Sequence, residues 1–198
     1  MSTSSIKIGQ RLKGKLGSYL ISDQVAKHIW RATKTDEPTR NFVINTAPQS
    51  RLENERDILK HYRDNKYVRQ LADETKDPPA LVLQHFDDNL LDASNKKTLG
   101  SADVKFVAKS VLKALKALHG DGYTHTDIKP DNILVNYSSA ESTDMRFNDV
   151  QLADFGDVTR IDAKEYLKIG LPGPLMGAAI FRSPEAILEL RWGQSTEI

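Results

Sequence analysis

Three short segments carry most of the side chains able to do chemistry: His125-Thr126-Asp127-Ile128-Lys129-Pro130-Asp131-Asn132, then Asp154-Phe155-Gly156, then Ser183-Pro184-Glu185. In the first, the Asp127 carboxylate can take up a proton, Lys129 adds a positive charge two positions on, and Asn132 adds a neutral oxygen five positions on. Asp154 adds a charged oxygen, and a carboxylate with an amide oxygen suits a hard divalent cation. Taken singly, each of these residues also suits a turn or a helix cap, because Asp and Asn bond readily to nearby backbone. Order and spacing make the set specific.

These residues need a scaffold. The apolar positions Val104, Val107, Ala108, Val111, Leu115 and Leu118 recur at three and four residues, which predicts a helix capped by Ser101, running to about His119 and ended by Gly120 and Gly122. Beyond the first segment, Ile133-Leu134-Val135 and Val150-Gln151-Leu152-Ala153 read as a hairpin with an elongated turn, with Ser138–Ser142 as a surface loop. Upstream, Ser18–Ile21, His28–Ala32 and Asn41–Ile44 read as antiparallel strands, and Arg51–Tyr62 as a helix. Ala80-Leu81-Val82-Leu83, apolar at consecutive positions after Pro78-Pro79, reads as a strand buried on both faces. A domain boundary is expected near Phe86 to Asp88.

Composition narrows the class. Among 198 residues, 28 Lys and Arg stand against 27 Asp and Glu, a net charge of +1 that argues against a polyanion-binding tail or nucleic-acid arm. With 39% hydrophobic residues the chain can bury a core. The lack of Cys excludes disulfides, thiolate metal sites and Cys nucleophiles together. No apolar stretch of signal or spanning length is present, so the expectation is an intracellular chain, in cytoplasm or nucleus, with no membrane partner.

In their order, the three segments resemble the catalytic loop, the metal-binding triplet and the end of the activation segment of protein kinases. The resemblance runs from about Leu16 to Arg191. It implies an α+β, two-lobed protein kinase-like fold: an amino-terminal lobe of a small antiparallel sheet plus one helix, residues 1–86, and an incomplete, mainly helical carboxy-terminal lobe, residues 87–198. It also implies ATP and Mg²⁺ as cofactors and a protein substrate. Phosphoryl transfer depends on positioning the nucleophile and neutralising phosphate charge. Asp127 is then the residue that accepts or orients the hydroxyl proton, Lys129 lies near the transferred group, and Asn132 and Asp154 hold the metal. Lys at position 129 is what serine/threonine kinases carry, so Ser or Thr hydroxyls are the implied acceptors. Leu81–Phe86 looks like the strand entering the hinge, with Leu83 as gatekeeper and the backbone of His85 and Phe86 near adenine. Glu55 takes the place of the helical Glu that pairs with the strand lysine; otherwise it is a solvent-facing Glu on a charged helix.

Departures from the family pattern are equally specific. Ser22, Gln24 and Lys27 stand where the three loop glycines belong, and side chains there keep the backbone further from phosphate. Asn45 stands where the strand lysine belongs and brings no charge. Kinases of the with-no-lysine group carry that lysine on the neighbouring strand, so Lys27 is the candidate substitute, expected to contact phosphate and pair with Glu55; the alternative is a surface Lys on an edge strand. Thr126 replaces the arginine that normally receives a phosphorylated residue of the activation segment, whose hydroxyls are Thr159, Tyr166 and Ser183. Ala178 replaces a threonine, which removes a supporting side-chain bond to the catalytic loop.

Thirteen residues follow Glu185, and Trp192–Ile198 looks like the approach to a central helix of the family's second lobe. The expectation is a shortened lobe, with Glu185 buried without its usual arginine and part of the Val104–Leu118 face uncovered. Function is then expected to be transfer of the ATP γ-phosphoryl group to protein Ser/Thr hydroxyls, possible impairment included; the alternatives are a pseudokinase scaffold or a non-catalytic kinase fragment.

Overall fold

Residues 6–139, 145–160, 177–190 and 192–198 are described by the computed structural model. They divide into two units, Met1–His85 and Phe86–Ile198. Tyr166, Arg191 and part of the Ser138–Ser142 stretch lie outside the described residues.

In the first unit, β-branched and aromatic runs separated by tight turns give a six-stranded antiparallel sheet. Its strands are β1 (Arg11–Lys13), β2 (Ser18–Ala26), β3 (Ile29–Lys34), β4 (Glu37–Asn45), β5 (Leu71–Lys76) and β6 (Pro79–Gln84), in the order β1-β2-β3-β4-β6-β5. Leu12, Tyr19, Ile21, Ala32, Phe42, Ile44, Ala80 and Val82 form one buried cluster, with Tyr19 set edge-on to Phe42 at 5.4 Å between ring centroids. Helix α1 (Gln49–His61) packs on β5 and β6 through a face that includes Leu52, Ile58 and Leu59.

Sequence patterning missed β1 and β5. Strand β1 offers one buried apolar residue, Leu12. The inward positions of β5 include Asp73 and Thr75, so its alternation is written in polar residues. Asp73 is buried because it is fully used: it accepts the N–H of Lys15 (3.0 Å), the N–H of Leu16 (2.8 Å) and the hydroxyl of Tyr19 (3.0 Å), holding the β1–β2 turn.

The second unit is built around α3 (Ser101–Gly120), preceded by β7 (Asp88–Asn89) and α2 (Leu90–Lys96). After α3 come β8 (Tyr123–Thr124), β9 (Ile133–Tyr137), β10 (Phe147–Leu152) and β11 (Thr159–Arg160). They form a β10-β9-β7 sheet and a β11-β8 ribbon. The expected hairpin is β9 and β10, paired antiparallel.

Three details of α3 differ from expectation. Its cap is Gly100 rather than Ser101: the Gly100 N–H donates to Asp103 Oδ2 at 3.2 Å, while Asp103 Oδ1 accepts the Arg146 N–H at 2.7 Å. Those bonds draw Asp103 inward, so the buried stripe runs Asp103, Val107, Ser110, Ala114, Leu118, with Leu115 beside it. A turn of about 100° per residue then carries Val104 outward, 51% exposed, with Ala108 also exposed and Val111 half-buried. Gly120 lies within the helix, and Gly122 follows the Asp121 cap with φ +82°. No helix among the described residues is long and apolar enough to cross a membrane.

Candidate active site

The β9–β10 register positions two of the chemical residues. Ile133 pairs with Leu152, and the Ala153 N–H donates to the Asn132 carbonyl at 2.9 Å. Asn132 therefore sits just before one strand and Asp154 just after its partner, at the same end of the hairpin. Asp154 has φ +62°, in the left-handed region that Asp tolerates better than most residues.

Asp127 is the centre of the His125–Asn132 loop. Its Oδ2 receives the Lys129 ammonium at 2.6 Å and the Asn132 amide at 2.9 Å, and the same Asn132 Nδ2 lies 2.8 Å from the Asp127 carbonyl. The Ala178 N–H donates to Oδ1 at 3.2 Å. Burial alone would raise the Asp127 carboxyl, but the Lys129 ammonium, then Ala178 and Asn132, outweigh it and hold the group below its ordinary range. Ala178 thus meets Asp127 through its backbone N–H, and its methyl side chain adds no hydrogen bond. Gly177 makes that approach possible: a Cβ there would come within 2.5 Å of the Thr126 carbonyl oxygen.

The loop is fixed from behind. His125 is fully buried, and its ring meets Phe155 edge-on at 5.0 Å. Its Nε2–H donates to the Ala153 carbonyl at 3.0 Å, which leaves Nδ1 to accept the Asp127 N–H at 3.4 Å. Burial lowers the imidazole's pKa despite the opposing pull of Glu197 and the Ala153 carbonyl. Glu197 accepts the N–H of His125 (3.1 Å), the N–H of Thr126 (2.5 Å) and the His119 Nε2–H (2.9 Å). Sequence reasoning gave Glu197 no role, since a lone Glu within Trp192–Ile198 has no local signal; its 310 turn, Gln194–Glu197, brings it to the loop. Glu185 departs from expectation in another way: it is half-exposed and accepts the Thr196 hydroxyl at 2.7 Å, so it is not a buried carboxylate lacking a partner.

A shallow pocket beside Asp127 is lined in part by Ile128, Ala178, Phe181, Arg182, Ser183 and Thr196. It offers apolar surface, and the Arg182 guanidinium in its lining donates to the Gly177 carbonyl at 3.2 and 2.9 Å.

In the first unit, Glu55 is buried at 2% exposure on α1, where it accepts the Asn45 Nδ2–H at 2.8 Å. The solvent-facing alternative for Glu55 is thereby excluded. Lys27 lies exposed in the β2–β3 turn, so the expected Lys27–Glu55 pair is replaced by Asn45–Glu55. The cause is local: Asn45 ends β4 and α1 follows closely, whereas Lys27 sits at the tip of a hairpin. Leu83 is buried in β6; His85, half-buried, ends the first unit, and the buried Phe86 opens the second. Of the sequence-predicted residues, the structure brings together Asp127, Lys129 and Asn132, with Asp154 one residue beyond the Ala153–Asn132 bond.

Asn132 and Asp154 are hard oxygen donors, the chemistry that fits Mg²⁺ when phosphate oxygens and water complete its shell. The two Asn132 bonds to Asp127 commit its amide nitrogen and orient the amide. Among the described residues no cluster of three His, Cys, Asp or Glu side chains forms a protein-only metal cage.

Residues 13–198 match the protein kinase domain family. The chain is also 23% identical, over 198 residues, to the serine/threonine-protein kinase shk1/pak1 of Schizosaccharomyces pombe. That match covers 98% of this chain and 26% of the relative, so the chain spans about a quarter of that protein's length.

Proposed function

Because the chain belongs to the protein kinase family, we propose that it is a serine/threonine kinase domain that transfers the γ-phosphoryl group of Mg²⁺-ATP to Ser or Thr hydroxyls of a protein. The observation that carries this reading is the Asp127 carboxylate with Lys129 and Asn132 on Oδ2 and Ala178 on Oδ1. A carboxylate has about four lone-pair sites, and three donors leave one, on Oδ1, for an incoming hydroxyl. The depressed pKa keeps Asp127 ionised and able to take the hydroxyl hydrogen bond at neutral pH. The pocket along Ile128, Ala178 and Phe181 would hold the peptide chain next to the acceptor.

When bound, Mg²⁺ neutralises phosphate charge and orients the transferring group. Asn132 and Asp154 would hold it, and Lys129 would balance charge beside Asp127. For nucleotide contact in the first unit we retain Leu83, His85 and Glu55, with the backbone of Phe86 opening the second. Lys27 stays a candidate for phosphate contact without a part in holding Glu55. An intracellular setting, cytoplasm or nucleus, belongs to the same reading.

A scaffold reading has its own supporting observation: the amide of Asn45, with no charge, meets Glu55 where kinases place a cation. Radiolabel transfer from Mg²⁺-ATP to Ser/Thr peptides, with Asp127→Ala as control, separates the two. Transfer lost in Asp127→Ala supports the kinase; nucleotide binding without transfer supports the scaffold and overturns the kinase reading.

A further inference from the structure

We propose that the hydroxyl of Thr126 is a positioning group that ties the catalytic loop to the segment following Asp154-Phe155-Gly156. This role rests on the kinase reading for its catalytic consequence, though not for its structural one.

Thr126 has φ +75°, a conformation rare for any side chain and rarer for a β-branched one. It is held there from three directions. Its N–H donates to Glu197 Oε1, its carbonyl oxygen faces Gly177 at a spacing that excludes a Cβ, and its Oγ1–H donates to the Asp157 carbonyl at 3.0 Å.

The third contact follows from strand register. In the β8–β11 ribbon Tyr123 pairs with Arg160 and Thr124 with Thr159. Continued two residues further, the same antiparallel register sets Thr126 opposite Asp157. The backbone of Thr126 has by then left the extended region and its N–H is committed to Glu197, so that N–H makes no ladder bond to Asp157. The side-chain hydroxyl supplies it instead. Thr126 immediately precedes the proton-accepting Asp127, and Asp157 lies three residues after the metal-ligand candidate Asp154. The hydroxyl bond therefore adds a tie beyond Asp154 to two short chain segments already joined before it by the Ala153–Asn132 and His125–Ala153 bonds, and their relative placement sets the spacing of Asp127 and Asp154. The arginine usual at this position depends on a phosphate for its cross-link, whereas this hydroxyl makes one to backbone already present.

The test compares Thr126→Val, which keeps the β-branched shape and deletes the donor, with Thr126→Ser, which keeps the donor. Amide hydrogen exchange at Val158, Thr159 and Arg160 is expected to speed up about five- to tenfold in Thr126→Val, the worth of one ordinary hydrogen bond, and to stay near wild type in Thr126→Ser. In peptide phosphorylation, kcat per folded molecule is expected to fall by a similar factor in Thr126→Val with the KM for ATP unchanged, and to recover in Thr126→Ser. Unchanged exchange in Thr126→Val overturns the structural link. Faster exchange with unchanged kcat overturns the positioning role. If the wild-type chain transfers no phosphoryl group, the kinase reading and this residue's catalytic consequence both fail, while the exchange measurement still decides the hydroxyl link.

Discussion

The Asn45 amide nitrogen lies 2.8 Å from Glu55 Oε2, and both side chains are buried. The contact reproduces the geometry of a strand-to-helix ion pair with one of its two charges replaced by a neutral group. Charge-assisted hydrogen bonds are roughly twice as strong as neutral ones, and a cation at this position would also attract phosphate. Asn45→Lys is therefore expected to tighten Mg²⁺-ATP binding about tenfold, a gain of ~1.4 kcal/mol, read by calorimetric titration. Equal affinities would remove position 45 from the account of nucleotide binding. Lys27→Met, altering an exposed turn, is expected to change folding stability by less than about 0.5 kcal/mol.

Lys129 lies 2.6 Å from Asp127 Oδ2 and is the main group opposing the effect of burial on that carboxyl. In the proposed kinase function Asp127 acts in its ionised form, so whatever raises its pKa is expected to move the acid limb of the rate profile to higher pH. Lys129→Met is expected to shift the acid limb of kcat/KM upward and to lower the plateau roughly ten- to hundredfold. A lower plateau with an unmoved acid limb would show that Lys129 contributes charge to the transferring group without setting the state of Asp127.

Much of this was legible in the sequence, for identifiable reasons. The loop residues Asp127, Lys129 and Asn132 lie within six positions, so their association is local and spacing alone predicts it. The hairpin that brings Asp154 to Asn132 is marked by two apolar runs, Ile133–Val135 and Val150–Ala153. What escaped was non-local or polar. Strand β5 buries Asp73 and Thr75 on its inward positions, so no apolar alternation marks it. The rotation of α3 follows from Asp103 accepting an N–H from Arg146, 43 residues away. Glu197 reaches the loop from a separation of 71 residues, and no local pattern encodes such a contact. The Lys27 expectation failed in its Glu55 partner because equivalence in sequence says nothing about reach from a hairpin tip.

His125 makes stability depend on pH in a definite direction. Its folded-state pKa is lowered by burial, so between that value and the unfolded value near 6.5 the unfolded chain binds the extra proton. Stability from this residue is present above the unfolded pKa and is lost as pH falls toward the folded one, with a slope of up to about 1.4 kcal/mol per pH unit. Urea unfolding of the wild type between neutral and mildly acidic pH is expected to show this loss. His125→Gln, which keeps an amide donor for the Ala153 carbonyl, is expected to be less stable at pH 7 and to lack that share of the slope. Parallel pH profiles for the two proteins would mean that His125 takes up its proton in the folded state as readily as in the unfolded one.

Gly177 is the glycine on which the Asp127 environment depends most directly. Its φ of +54° disfavours a side chain, and a Cβ would stand 2.5 Å from the Thr126 carbonyl oxygen and 3.2 Å from Asp127 Oδ1. The first of these neighbours is the backbone of a residue anchored through its N–H to Glu197 and through its hydroxyl to the Asp157 carbonyl, so it does not yield easily. The 177–178 segment must move instead, and the Ala178 N–H then leaves Asp127. Gly177→Ala is expected to cost about 1–3 kcal/mol of stability and to lower kcat as Asp127 loses a donor. Gly193→Ala is the matched control: a Cβ there meets nothing within 4 Å, and its φ of −143° is ordinary extended backbone. That variant is expected to stay within about 0.5 kcal/mol of wild type. Urea midpoints and initial rates measured side by side decide the matter, and equal midpoints for the two variants would show that the 177–178 segment does not rest on the catalytic loop.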